Sequence, residues 1–272
     1  PEGEPVIPIE PRGGESQPEE TTRNTEQPLD SVQPPTRRRN SPSMQERMRA
    51  FPFTFILIGI TLAVFVLQVL SEMLLGTDLV LLLGAKSNTA IRGGQWWRFV
   101  SPVFVHAGLL HFGVNMYSLY IIGPAVERFF SGKRFLLIYL LTGIGGVIMS
   151  FILSDSLSVG ASGAIFGLVG ALGGFFFAHR KLLNVSNQLR HLVTVTLMNL
   201  TLGLMPGIDN WGHIGGLITG IGLSWWLGPR LSLTQGETGV RVQDQRPTSS
   251  IQLRGALAVI FLIAIMAFLL LF

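Results

Sequence analysis

Gly160-Ala161-Ser162-Gly163-Ala164-Ile165-Phe166-Gly167 opens a charge-free run that continues to Ala178. Within it Gly163, Gly167, Gly170 and Gly174 recur at intervals of three and four, so one face of the helix carries no side chains and another helix can approach closely. Ser162 sits at the mouth of this apolar helix. A hydroxyl there is either a packing feature or a nucleophile. The choice depends on whether other segments bring a base and hydrogen-bond donors to the same depth.

The rest of the chain sets that depth. Of its 272 residues 48% are hydrophobic and only 13% charged, with a mean hydropathy of +0.47. Soluble domains carry roughly 25% charged residues. Here the charges cluster between long stretches that have none, the pattern of a polytopic membrane protein. The net charge of +4 and a pI near 10.0 do not imply nucleic-acid binding, because the basic residues flank apolar spans and no nucleic-acid fold signature is present. With no cysteine, disulfide and thiol chemistry are excluded. The sequence begins with Pro1 rather than Met, so the natural start is expected upstream, and no cleavable signal peptide is expected.

Residues 1–50 are rich in Pro, Glu, Arg, Ser and Thr and are expected to form a disordered cytoplasmic tail. Seven charge-free segments follow: Phe53–Leu70, Leu109–Val126, Phe135–Leu153, Ser162–Ala178, Leu192–Ile208, Trp211–Leu227 and Ala256–Phe272. A bilayer core takes roughly 17–25 helical residues, so each is a candidate span. Pro206, Gly207, Asp209 and Asn210 divide the run from Leu192 to Leu227 into two. The expected fold is an all-α polytopic membrane protein. Residues 51–228 form a six-helix core, 229–255 a polar cytoplasmic linker, and 256–272 a seventh transmembrane helix. Residues 71–108 make a long, semi-apolar external loop, the kind that is functional or has structure of its own. With the tail inside, the outer side holds only Lys86, Arg92 and Arg98 of the 20 Lys and Arg. That bias places the N-terminus in the cytoplasm and the C-terminus outside. Trp96-Trp97 and Trp225-Trp226 then fall at opposite interfaces.

Polar groups inside apolar spans need an explanation. His179 and His191 flank cytoplasmic Arg and Lys and read as interfacial anchors. His111 and Asn115, four apart, share a helix face, with His106 just above them. They fit helix–helix hydrogen bonding, and equally they fit side-chain donors to an oxyanion. His213 opens the sixth segment, and Gly216 and Gly220 continue its face at small-xxx-small spacing. Packed against the glycine face of the fourth segment, it brings His213 to Ser162, each in the first turn of a helix. Imidazole is the commonest base for activating a serine. The N–H groups and positive dipole end at the start of Ser162's helix favour an oxyanion. No carboxylate lies in these spans at that depth, so the pattern is a dyad. Phe166, one turn on, can stack on the imidazole or serve as core packing.

These residues resemble the rhomboid family of intramembrane serine proteases, over about Phe53 to Leu227, and the seventh helix fits its six-plus-one members. Trp97-Arg98, His106-x4-His111-x3-Asn115, Gly160-Ala-Ser162-Gly and Gly212-His213-x2-Gly216-x3-Gly220 occur in order on the right spans. The resemblance implies Ser162 as nucleophile and His213 as general base and then acid. It also implies oxyanion stabilisation by His111, Asn115 and the Ser162 N–H. His106 looks structural, as do Trp97, Arg98 and Glu127. The family often has Tyr where Phe166 stands, so ring stacking survives here without a hydroxyl. Gly160, Gly216 and Gly220 support the site.

The expected activity is hydrolysis of peptide bonds in or near transmembrane helices of membrane-protein substrates, in the plasma (inner) membrane, with no metal and no cofactor. The alternative within the family is an inactive rhomboid-like protein that binds membrane clients; such relatives lack the serine or the histidine. A haem or metal site on His106, His111 and His213 is disfavoured. On a helix His106 and His111 point apart by roughly 140°, and no H-E-x-x-H or carboxylate ligand set is present. A transporter would show an internal repeat, which is not seen.

Overall fold

The structure is a computed structural model and describes residues 42–205, 207–236 and 239–271. The expected disorder of the tail therefore lies outside the described residues up to position 41. Within them, residues that were counted with the tail form a helix, α1 (Met44–Ala50). Its start is fixed by a capping box in which Ser43 and Glu46 bond each other's backbone N–H.

The long helices are α2 (Pro52–Leu75), α5 (Leu109–Phe130), α6 (Gly132–Leu153), α7 (Ser162–Leu183), α8 (Ser186–Leu202), α9 (Asn210–Leu227) and α10 (Thr248–Leu271). Among the described residues, α2, α5, α6, α7 and α10 are long and apolar enough to cross a membrane. α8 has 17 residues and begins with a polar turn, and α9 has 18 and carries Asn210, His213 and several glycines. α9 is nevertheless packed among other helices, chiefly α7 and α6. It meets protein where the outer helices present Leu67, Met73 or Phe261 outward. The result is an all-α polytopic membrane fold.

α7 is the axis of this bundle. It packs against α9 most extensively, then α6, α5 and α8, while α2 lies on α5 and α10 leans on α6 and α9 from outside. Leu168, Ala171, Leu172 and Phe175 of α7 form the centre of one core with Leu119, Val126 and Phe130 of α5 and Phe135 and Ile138 of α6. On the other side of α7, glycine replaces such packing. A Cβ on Gly216 or Gly220 would overlap the carbonyls of Gly163 and Gly167, so α7 and α9 meet backbone to backbone.

Several boundaries differ from expectation. The fifth segment was expected over Leu192–Ile208, but α8 runs from Ser186 to Leu202, and the chain then unwinds through turn-like bonds from Leu204 N–H to Thr201 O and from Met205 N–H to Leu202 O. Leu204 and Met205 are apolar but exposed, so hydropathy extended the helix into a loop. The loop expected over 71–108 starts only after α2 ends at Leu75, and over residues 76–108 it holds α3 (Leu79–Gly84), α4 (Asn88–Arg92) and two 3-10 turns, Trp96–Phe99 and Ser101–Val103. The linker contains an antiparallel hairpin, β1 (Leu231–Gly236) with β2 (Gly239–Asp244), in which Leu233 faces Val242. Alternation of apolar and polar residues in Leu231-Ser-Leu-Thr and Val240-Arg-Val-Gln is the strand period. α10 starts at Thr248, so the stretch joining α9 to α10 is shorter than 229–255.

Candidate active site

The loop between α6 and α7 reaches Ser162 through Gly160, whose φ of +114° is a conformation that other residues rarely adopt. The position is also crowded, since a Cβ there would come within 2.8 Å of His111 Nε2. Gly160 N–H is tied to the Pro102 carbonyl at 2.8 Å. α7 then begins without a side-chain cap, which leaves the first N–H groups of the helix without intrahelical partners.

α9 enters beside it. Asp209 caps this helix, its Oδ1 accepting the Gly212 N–H at 3.0 Å. One turn on, His213 is buried and its Nε2 lies 2.9 Å from Ser162 Oγ. The His213 ring stacks on Phe166, with centroids 4.4 Å apart and planes 13° apart. His213 Nδ1 and Asp209 Oδ2 are both buried and have no hydrogen-bond partner. A carboxylate therefore does lie near this depth, one turn before His213, but it does not bond the imidazole. The pairing is two-membered, and the aromatic face fixes the ring.

His111 and Asn115 sit on α5 opposite Gly160. Asn115 Nδ2 donates to the His111 carbonyl at 2.8 Å, and His111 Nδ1 accepts the Ala107 N–H at 3.3 Å. In a neutral ring that acceptor role puts the proton on Nε2. His111 thus offers an N–H on the side facing Gly160.

His106 lies outside α5, before a turn at Gly108 with φ of +116°. The helical estimate that His106 and His111 point apart therefore does not apply, and their rings are 5.2 Å apart. His106 is buried; its Nε2 accepts the Ala161 N–H at 3.4 Å. Its backbone is held from α2 by Gln68, whose Oε1 accepts the His106 N–H and whose Nε2 donates to the His106 carbonyl, each at 2.9 Å. Gln68 was not singled out from the sequence.

The 76–108 loop is a built platform. Arg98 donates to the carbonyls of Ala85 (2.6 Å) and Leu82 (2.9 Å), closing the end of α3. Trp97 Nε1 donates to Leu83 O. Lys86 is fully buried and grips the loop before Ser162, its Nζ donating to the carbonyls of Ser154 (2.5 Å) and Ser156 (3.0 Å). Asn88 Nδ2 joins it through Phe151 O and Asp155 Oδ1. Burial pushes the Lys86 ammonium down from its ordinary range, against a pull upward from Asp209 and Asp155. Neither Lys86 nor Asn88 carries a motif that would have marked it. Far from the site, Glu127 accepts the N–H groups of Phe53 and Thr54 and the Thr54 hydroxyl, capping α2 from α5. His179 is more than an interfacial anchor, because its Nε2 accepts the Leu231 N–H of the hairpin.

Ser162, His213, His111, Asn115, Gly160 and Phe166 line one cavity of about 1140 Å³, which extends to Asn199 and Leu202 of α8 and to Asp209. The Rhomboid domain model matches residues 93–230, which holds every one of these residues. This chain belongs to the rhomboid family. It is 40% identical over 169 residues to the rhomboid protease GluP of Bacillus subtilis, covering 62% of this chain and 33% of that protein. RHOMBOID-like protein 2 of Arabidopsis thaliana is 43% identical over 135 residues, 49% of this chain and 43% of that one. The putative rhomboid protease YdcA of Bacillus subtilis is 33% identical over 140 residues, 51% of this chain and 70% of that protein. The chain spans from 33% to 52% of the length of the first relatives it matches. Family and helices together make it a multi-pass membrane protein.

Proposed function

We propose that this rhomboid is a serine endopeptidase that cleaves membrane-protein substrates in or near their transmembrane helices, with Ser162 and His213 as a catalytic dyad. The observation that carries the proposal is the 2.9 Å contact between Ser162 Oγ and His213 Nε2. It is within hydrogen-bond reach for proton transfer.

Ser162 Oγ attacks the scissile carbonyl carbon as its proton passes to His213 Nε2. The carbonyl π-bond breaks and its electron pair moves onto oxygen. That oxyanion is met by the free Ser162 N–H at the start of α7, with Asn115 Nδ2–H and His111 Nε2–H as further donors. The oxyanion's electron pair then re-forms the carbonyl as the C–N bond breaks, His213 gives its proton to the leaving amine nitrogen, and the Ser162 ester remains as the acyl-enzyme. Water attacks the ester in the same sense, returning the proton through His213 to Ser162 Oγ. Phe166 holds the imidazole plane while it is charged.

A substrate helix bonds its own backbone in hydrocarbon, so a stretch must unwind before its carbonyl reaches Ser162. Substrates with Gly or Pro near the cleaved end meet that need at lower cost. We assign the chemistry to the six-helix core of residues 51–228, with α10 as an added span. The Lys and Arg bias supports an N-terminus in the cytoplasm, a C-terminus outside and the dyad toward the outer leaflet, and the reading takes the membrane to be the plasma (inner) membrane.

Fluorophosphonate labelling tests the nucleophile. The reading expects labelling of the folded protein that is lost in Ser162→Ala. A folded wild type that takes no label favours the rhomboid-like client binder instead.

A further inference from the structure

A second cavity of about 710 Å³ runs along the outside of the bundle between α6, α9 and α10. Its walls are apolar, with Met149 on α6, Ile218 and Gly222 on α9, and Phe261 on α10. It follows α9 from Gly215 to Trp226. At 1.5 Å per residue that is about 16 Å, the depth of one leaflet of a roughly 30 Å hydrocarbon core. The cavity lies on the far side of α9 from Ser162 and shares no lining residue with the dyad's cavity.

One end of the groove is strongly charged. Trp226, which lines it, has Arg254 over its ring at 5.1 Å, and its carbonyl accepts from both Arg254 (3.1 Å) and Arg246. Arg246 also donates to the Trp225 carbonyl at 2.7 Å. Arg230 and Arg134 complete the cluster. Among the described residues, the carboxylate facing it is Asp244, which is fully used: it accepts the backbone N–H of Arg230 and Arg246 and pairs with Arg134 at 2.6 Å. The C-terminus of α9 adds only about half a negative charge. The four guanidinium groups therefore retain an excess of about two to three positive charges. Burial first, and then the neighbouring Arg254, Arg230 and Arg134, push Arg246 down to about 10 against the upward pull of Asp244. Arg134 is nine-tenths buried, and its Nε has no partner.

We propose that the groove holds an acyl chain of an anionic phospholipid whose phosphate sits among Arg230, Arg246 and Arg254. The charge selects this occupant over a substrate helix. Membrane helices concentrate their own Lys and Arg at the face where this chain does, and would be repelled, whereas that leaflet's anionic lipids supply the missing sign. The lipid would fasten α10 and the hairpin to the core and leave the dyad's opening clear.

The test is native mass spectrometry of the full chain released from bilayers of equal phosphatidylglycerol and phosphatidylcholine with matched chains. The wild type is expected to retain phosphatidylglycerol over phosphatidylcholine by about tenfold. The double variant Arg230→Gln with Arg254→Gln should bring that ratio near one. Gly222→Phe provides a second handle, because a Cβ at Gly222 meets no atom within 4 Å and so points into open space; it should cut retention of lipid with every arginine in place and with melting unchanged. Equal retention of the two lipids by the wild type, an unchanged preference in the double variant, or unchanged retention in Gly222→Phe, overturns the proposal. So does displacement of the lipid by inorganic phosphate alone, which would mark a plain anion site. A photo-crosslinker at Ile218 that captures a model substrate's helix rather than lipid would reassign the groove to substrate.

Discussion

Gly216 lies against the carbonyl oxygen of Gly163 with no room for a methyl group between them. The same relation repeats one turn on between Gly220 and Gly167. These contacts set the separation of α7 and α9, and thereby the reach from His213 to Ser162. Gly216→Ala and Gly220→Ala should each cost about 1–3 kcal/mol through overpacking. Gly216→Ala should slow fluorophosphonate labelling more, since it lies nearer the dyad. Gly173→Ala is the control: it has open space around it and should leave stability unchanged or raised. Thermal unfolding with labelling rates reads all three.

Phe166 holds the His213 ring by stacking alone. Phe166→Tyr should retain most activity, because the ring face is unchanged. Phe166→Ala should lose about 0.5–1.5 kcal/mol of that contact, seen as a fall in kcat of roughly three- to tenfold with KM little changed. Equal losses in both variants would mean that shape, not the ring face, sets the imidazole.

In the proposed mechanism Asn115→Ala removes a donor that matters only once negative charge has formed on the substrate. The expected loss is about 10²–10³ in kcat. Binding of an uncleaved substrate to Ser162→Ala and to the Ser162→Ala/Asn115→Ala double variant should be equal. A weakened affinity in the double variant would show that Asn115 serves ground-state binding instead.

Lys86 is buried and lowered from its ordinary 10.5. Between its folded value and 10.5 the unfolded chain binds more protons, so this group makes stability rise with pH across that window. The melting temperature of the wild type relative to Lys86→Met should increase as pH climbs through the alkaline range. A difference that stays flat or shrinks contradicts the burial of a charged amine here. Lys86→Met should also slow labelling at neutral pH, because the Ser156 carbonyl loses its Lys86 donor, the Ser154 carbonyl keeps only Asn88 Nδ2, and the loop leading to Ser162 loosens.

The parts of this molecule that repeat along a helix were legible in the sequence. The glycine faces of α7 and α9, and the four-residue step from His111 to Asn115, follow helical period and so predict who meets whom. What holds the site from outside was not. Gln68 clamps His106 from 38 residues away, and Lys86 holds Ser154 from 68 away. Bonds from a side chain to a distant backbone carbonyl leave no period in either segment. The bounds of α8 failed for a related reason. Hydropathy counts Leu204 and Met205 as span whether or not their backbone is helical, and it discounts Ser186, Asn187 and Gln188, which form the first turn. Spacing alone sets His106 on the same helix as His111, but the turn at Gly108 starts α5 only at Leu109.

The most direct test of the central claim is cleavage of a model transmembrane substrate by the full chain in liposomes, compared with Ser162→Ala and His213→Ala. The dyad predicts a single cut near the substrate's outer helix end by the wild type and none above background by either variant, with all three proteins melting alike. Normal cleavage by both variants would contradict it.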